Sequence, residues 1–440
     1  MQYADCRGLP VTIASAEAAS ALDATLAAYQ GLRADTGDRL KEALALDPDC
    51  PLSLTTRGYF ILLFAVKPLA AKARESLAAA EAAAAKRGVS ERERRHLAAL
   101  KAWCAGHAEG ALAHWEAILA EHPRDVLAIR LAHFWNFYIG DPLKLRDSVA
   151  RVLPGWDDTV PGYGFVLGCH AFGLEESGDY AAAERAGRRA VEINPQDAWA
   201  VHAVAHVLEM QDRTDEGVTW LDRHIPGLAG CNNFRFHTTW HRCLFYLERG
   251  EGVRVLELYD REVRTESTSE YLDICNATSL LWRLEAAGID VGNRWAELAK
   301  QSVARIGDHS LVFADAHFAL ALAAADPGNA DRFVASAKQF AGGTDTQARV
   351  MNEIGAALCA AVVDCRRGEY GRALDALLPR RAVLRTIGGS HAQRDLFEQM
   401  LILAALADRR KSVAAELLAE RRRQRPNNRL NRSLDARLAS

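Results

Sequence analysis

Apolar residues recur at intervals of three and four along almost the whole chain, with polar residues between them. That period marks amphipathic helix, because residues three and four apart share one helical face. No segment alternates apolar and polar residues for long enough to read as a strand. Alanine is frequent and β-branched runs are few, which favours helix again, since alanine loses least side-chain freedom there. Turns such as Asp141-Pro142 and Asp326-Pro327-Gly328-Asn329 punctuate the pattern. The longest apolar run, Tyr59 to Val66, is far too short to span a membrane and reads as buried helix.

The helical pattern itself repeats. Residues 164–197 hold Gly178, Tyr180, Ala183, Ala190 and Pro195 at the spacing of a tetratricopeptide repeat. Glycine allows the tight turn between the two helices. Tyr180 fills the wedge, Ala183 and Ala190 permit close approach, and Pro195 stops the second helix. The spacing recurs with substitutions in residues 92–125 (Gly106, Ala111, Pro123), 198–235, 236–269 (Gly250, Gly252), 354–387 (Gly368, Tyr370, Ala373) and 395–428. Residues 126–160, 273–300 and 310–340 read as degenerate copies. The expected fold is all-α, a right-handed α-α superhelix of tetratricopeptide-like helix pairs. It forms one continuous array over residues 1–440 with no interdomain linker, each pair burying its faces against its neighbours.

A formal net charge of -3 gives no global pull toward nucleic acid or an anionic membrane. The basic run Arg421-Arg422-Arg423-Gln424-Arg425 reads as a solvated helix end. The nine cysteines are scattered, odd in number and without a CxxC pair. That argues against a disulfide framework and for a reducing cytoplasm. The first ten residues show no signal-peptide pattern.

Candidate chemistry centres on histidine. DAWAVHAVAHVLEM places His202 and His206 four apart on one predicted helix, and FRFHTTWHRCLFYLERG does the same with His237 and His241 on the next. Residues four apart are neighbours on a helix surface, about 6 Å apart at Cβ. At about 100° per residue, the inward packing stripes run through Val201, Val204, Ala205 and Leu208, and through Thr239, Arg242, Cys243 and Tyr246. All four histidines lie off those stripes and are expected on the concave wall, with Glu176 beside them and Glu175 and Glu209 at its edge. His133 and His170 fall on packing stripes and read as core histidines.

Two histidine pairs on adjoining helices suit a divalent metal such as zinc, with His202, His206, His237 and His241 as ligands. Neither HAVAH nor HTTWH contains the glutamate of an HExxH metalloprotease. The same four histidines, with Glu175, are also candidates for acid–base catalysis without metal. Further carboxylate–histidine combinations are Glu209 with His202 or His206, Asp315 with His317, and Asp395 with His391. Arg394 either clamps an anionic group or pairs with Asp395 or Glu398 at a helix start. Trp240 is a candidate apolar wall. Cys169 and Cys243 read as structural.

DAWAVHAVAHVLEMQ, FHTTWHRCLFYLERGE and AFGLEESGDYAAAERAGRRAVEINPQDAW together resemble the tetratricopeptide repeat protein 38 family. The resemblance continues through DICNATSLLWRLEAAG, FADAHFALAL and SHAQRDLFEQMLI, and so covers most of the chain. It implies an α-helical repeat fold and no established reaction. It places His202, His206, His237, His241, Asp273, Asp315, His317, His391, Arg394 and Asp395 in the family's motifs. The functional expectation is binding of a small polar ligand or peptide end in a histidine-lined concave pocket. Glu176, Glu209, Trp240, Asp315, His317, His391, Arg394 and Asp395 are the ligand contacts. The alternatives are a hydrolase or lyase built on the histidine cluster, and a scaffold for a protein partner.

Overall fold

In the computed structural model, which describes residues 2–439, the 164–197 repeat folds as its residues dictate. Gly178 takes φ 88° between the Tyr163–Glu176 and Tyr180–Ile193 helices, a left-handed backbone that a β-carbon resists. Asp179 caps the second helix by accepting the Ala182 amide at 3.2 Å. Ala183 and Ala190 are buried. Gly187 permits so close an approach that a β-carbon there would lie 2.7 Å from Val204 Cγ2. The result is a tight helical hairpin.

Two other predicted repeats hold helix pairs in the same way, Glu91–Cys104 with Ala108–Glu121 and His391–Ala407 with Lys411–Gln424, and residues 198–235 supply the consecutive helices Ala198–Met210 and Thr214–His224. Two second helices are cut short. Gly252–Leu258 runs into a π-helical turn at Tyr259–Val263, and Tyr370–Leu377 runs into the 3-10 segment Leu378–Ile387. The fold is all-α, an array of tetratricopeptide-like pairs. Among the described residues, no helix is long and apolar enough to cross a membrane. Among the described residues, no cysteine is in a disulfide.

One departure is a small antiparallel hairpin, Gln2–Ala4 with Pro10–Thr12, in which Tyr3 faces Val11. Three residues per strand are too few to display a period of two, so the sequence gives no strand signal. The hairpin is held instead by a distant carboxylate. Glu93 accepts the Thr12 amide at 2.8 Å and its hydroxyl at 2.9 Å.

Contacts divide the chain into two compact units, Met1–Val204 with Gly227–Phe234, and Ala205–Pro226 with Arg235–Ser440. The division falls inside the Ala198–Met210 helix. In the first unit the buried Asp125 carboxylate takes the Arg92 guanidinium at 2.6 Å, His96 Nε2 at 3.0 Å and the Ala128 amide at 2.9 Å. Tyr59 donates to the His96 carbonyl at 2.6 Å and accepts Trp115 Nε1 at 3.1 Å. A cavity of about 10 Å³ borders Asp125. In the second unit, the Tyr271–Ala286 and Val312–Ala325 helices are buried along most of their length. Residues 425–429 return to the turn after Met210: Arg425 reaches Asp212 at 3.4 Å, and the Asn427 amide reaches it at 3.0 Å.

Candidate functional site

Three of the four predicted histidines meet inside the second unit. His206 comes from the Ala198–Met210 helix, and His237 and His241 from Phe234–Glu248. One ligand nitrogen from each lies within 4.8 Å of the other two. The His206 and His241 rings are 4.3 Å apart at their centroids, and those of His237 and His241 4.9 Å. Two have their Nδ1 atoms held: His241 Nδ1 lies 3.0 Å from Glu209 Oε2, and His237 Nδ1 lies 2.8 Å from Asn276 Oδ1. Where such a ring is neutral, a carboxylate or amide oxygen there fixes the proton on Nδ1 and leaves the lone pair on Nε2. Trp240 stacks on His237, ring centroids 5.2 Å apart and planes at 14°.

The expectation of a concave surface is corrected here. His206 and His241 are 0% exposed, and His237 is 3%. Both helices are buried along most of their length, so the positions off the packing stripe are also covered. Burial holds His206 and His237 well below the usual histidine range. The His241 and His237 rings, His391 and the Arg394 guanidinium add to the effect on His206. His206 and His237 are therefore neutral imidazoles at pH 7, the form that donates a lone pair to a metal.

His202, one turn before His206 on the same helix, belongs to the first unit. It is buried among Phe172, Trp199 and Phe234, with centroid distances of 5.4, 5.2 and 5.0 Å. Glu175 and Glu176 end the Tyr163–Glu176 helix in that unit, both buried. His133 is a core residue, its Nε2 accepting Trp199 Nε1 at 3.2 Å.

Several predicted pairings are replaced. Glu209 orients His241 rather than His202 or His206. Asp315 pairs with His309 at 3.3 Å, whereas His317 Nδ1 bonds the Phe313 carbonyl at 2.8 Å. Residues two apart on a helix point about 200° apart, so Asp315 and His317 face different neighbours. Asp395 binds Arg421 through two hydrogen bonds, 2.9 and 2.8 Å, not His391. Glu398 pairs with Arg381 at 2.8 Å, and Arg394 donates to the Gly389 carbonyl. Asp273 accepts the Thr268 hydroxyl at 2.6 Å, beside Glu270, whose carboxyl burial and the Asp273 charge push up to about 8. Cys169 and Cys243 are buried. Burial raises both thiols, Cys243 to about 12, so neither is activated.

The basic run is also corrected. Arg422 and Arg423 are exposed, but Arg421 and Arg425 are buried. Arg421 lies on the inward face of the Lys411–Gln424 helix, and Arg425, the residue that ends it, turns inward as well. Arg425 lies 3.6 Å from Asp395 and 3.8 Å from Glu209. The sequence reading missed two further residues, Asn276 and Arg283. Both sit in the Tyr271–Ala286 helix, where Asp273, Asn276, Ser279 and Arg283 form a polar stripe at spacings of three and four on a largely apolar helix. That stripe is the signal that identifies them.

No family model matches the chain. Among solved structures, the chain is similar to a monomeric mutant of IFIT1 with Gppp-AAAA, at 14% identity and a TM-score of 0.39, covering 97% of this chain and 95% of that one. It is also similar to Naa15/Naa10 bound to HypK-THB, at 13% identity and a TM-score of 0.28, covering 91% of this chain and 62% of that one.

Proposed function

We propose that this chain is a metal-dependent member of the tetratricopeptide repeat protein 38 family. His206, His237 and His241 hold one divalent ion, zinc by ligand chemistry, and its remaining position takes a small polar ligand. The carrying observation is the pair of oriented rings, His241 on Glu209 and His237 on Asn276. Metal-binding histidines typically donate their second nitrogen to such an oxygen. Tetrahedral zinc sets ligand nitrogens about 3.4 Å apart. One ring nitrogen of each histidine already lies within 4.8 Å of one from each of the others, so the rings need to draw in by about 1.4 Å at most to hold an ion.

Three protein nitrogens leave the fourth tetrahedral position for water or ligand, the arrangement of catalytic rather than structural zinc sites. Burial, the neighbouring rings and, least of these, the Arg394 charge lower the proton affinity of His206, and a positive charge in that region favours an anionic oxygen on the ion. Hydrolysis or elimination on a small polar substrate is the matching reaction class, because bound metal activates water near neutral pH. Burial of all three rings disfavours the scaffold reading, which needs side chains on an open groove.

Metal analysis of the purified chain, followed by zinc titration of chelator-treated protein, tests this reading. About one zinc per chain is expected, lost in a His206→Ala, His241→Ala double variant whose helix content is unchanged. A chain that takes up no zinc, or a double variant that takes it up as well as the parent, refutes the metal centre. Zinc uptake with no turnover of ester, amide or phosphate substrates leaves a binding protein and removes the enzyme.

A further inference from the structure

The second unit contains a cavity of about 380 Å³, within the range of small-molecule pockets. Its lining mixes apolar and charged residues. Leu244, Leu247, Leu403, Leu430 and Leu434 supply apolar surface. Glu209, Asp395, Arg283 and Arg425 supply charged groups, with Glu248, Arg429 and Arg437 nearer solvent.

The first four of these charges are unequally satisfied. Glu209 is engaged with His241 at 3.0 Å, and Asp395 with Arg421 at 2.8 Å. Arg425 has Asp212, Glu209 and Asp395 within 4 Å. Arg283 differs. It is 6% exposed, and its hydrogen bonds run to neutral oxygens: the Ala392 carbonyl at 3.0 Å, and the carbonyl and hydroxyl of Ser279. Among the described residues, no carboxylate lies within ion-pair distance of it. Burial pushes its guanidinium down to about 10, against the opposing pull of Asp395 and Glu209, so it is still a cation at neutral pH. A buried cation without a contacting anion is costly, and here it borders open volume. A carboxylate meets a guanidinium fork in planar, two-bond geometry.

We infer that this cavity is a binding site for an amphipathic carboxylate, its head on Arg283 and its apolar body along Leu244, Leu247, Leu403, Leu430 and Leu434. The site is separate from the metal centre and stands whether or not metal is bound. Glu209 is the one residue common to both, holding His241 and lining the cavity.

Calorimetric titration of chelator-treated chain tests it, using octanoate, octanol, acetate and inorganic phosphate as probes. Octanoate should bind at least about tenfold more tightly than each of the others, since the cavity rewards head and tail together. Arg283→Gln should weaken octanoate by about tenfold or more. Leu403→Trp, which fills the apolar part and keeps Arg283, should weaken it similarly. Circular dichroism reports whether each variant is folded, and if Arg283→Gln is not, Leu403→Trp decides. The inference is overturned if octanoate gives no binding, or if octanol binds equally well. Phosphate binding as tightly as octanoate overturns it too, as do folded variants that bind octanoate like the parent. Because metal is removed beforehand, failure here leaves the zinc titration untouched, and failure of that titration leaves this result untouched.

Discussion

Both units bury a histidine–carboxylate pair at the same 3.0 Å separation, His96–Asp125 in the first and His241–Glu209 in the second. Their surroundings differ. Asp125 also holds the Arg92 guanidinium and caps the Val126–Tyr138 helix through the Ala128 amide. The neighbouring cavity, about 10 Å³, has room for about one water centre. Arg92, His96 and the cap together hold the Asp125 carboxyl well below the usual carboxylate range, against its burial. The first pair is thus closed by protein charge and serves as a structural brace. Around the second, the histidine's neighbours are two more imidazoles, and the carboxylate lines a cavity of about 380 Å³. A histidine–carboxylate contact does not declare its role. What completes the charge balance around it does.

The sharpest way to break this contrast is Asp125→Ala. It strands Arg92 and His96 in the interior and removes a cap, and should cost about 3–5 kcal/mol. The first unfolding transition in urea should move to lower denaturant, with zinc content unchanged. A change in zinc content would place the brace within the metal site and dissolve the distinction. Glu209→Gln should act the other way round. Zinc affinity, measured against a chelating dye, should fall about 10–100-fold, with a smaller loss of stability because the amide still accepts from His241.

The pH response comes next. His206 and His237 titrate below the usual range when folded, and His317 is pushed down to about 4 by burial. Unfolded histidines titrate near 6.5. Between those limits these three histidines bind more protons unfolded than folded, so their contribution to the stability of the metal-free chain rises with pH across about 4 to 6.5 and is level above it, while the raised Glu270 carboxyl acts in the opposite sense. A melting temperature in chelator that is flat from pH 5 to 6.5 would contradict the neutral buried rings. The smallest effect should follow Arg422→Ala. That side chain is 46% exposed and pairs with Asp435 at 2.9 Å, so its loss should stay within about 0.5 kcal/mol in the same urea experiment.

The helical hairpins were legible because their signals are local. Gly178 at the turn, and Ala183 and Ala190 at the contact, each state a backbone or packing requirement within one repeat. The histidine spacing was legible for the same reason, since four residues apart on a helix means one face. Pairing across elements was not. Nothing near Asp315 indicates that His309 rather than His317 is its partner, or that Asp395 meets Arg421, 26 positions on. The run Arg421–Arg425 shows why: read as charge density it belongs in water, while read at helical spacing Arg421 and Arg425 separate from Arg422 and Arg423. Asn276 and Arg283 were hidden in a helix whose apolar neighbours dominate the pattern.

A linear stack of repeats normally frays from its ends, one pair at a time, because each pair leans only on the next. The second unit is tied differently, since Arg425 and Asn427 fasten onto the turn that ends the histidine-bearing helix, more than 200 positions earlier. Peeling away the Lys411–Gln424 helix therefore uncovers Asp212 and Glu209 in the same event. The unit should melt as a single block, and assemble slowly, since that fastening joins residues far apart along the chain.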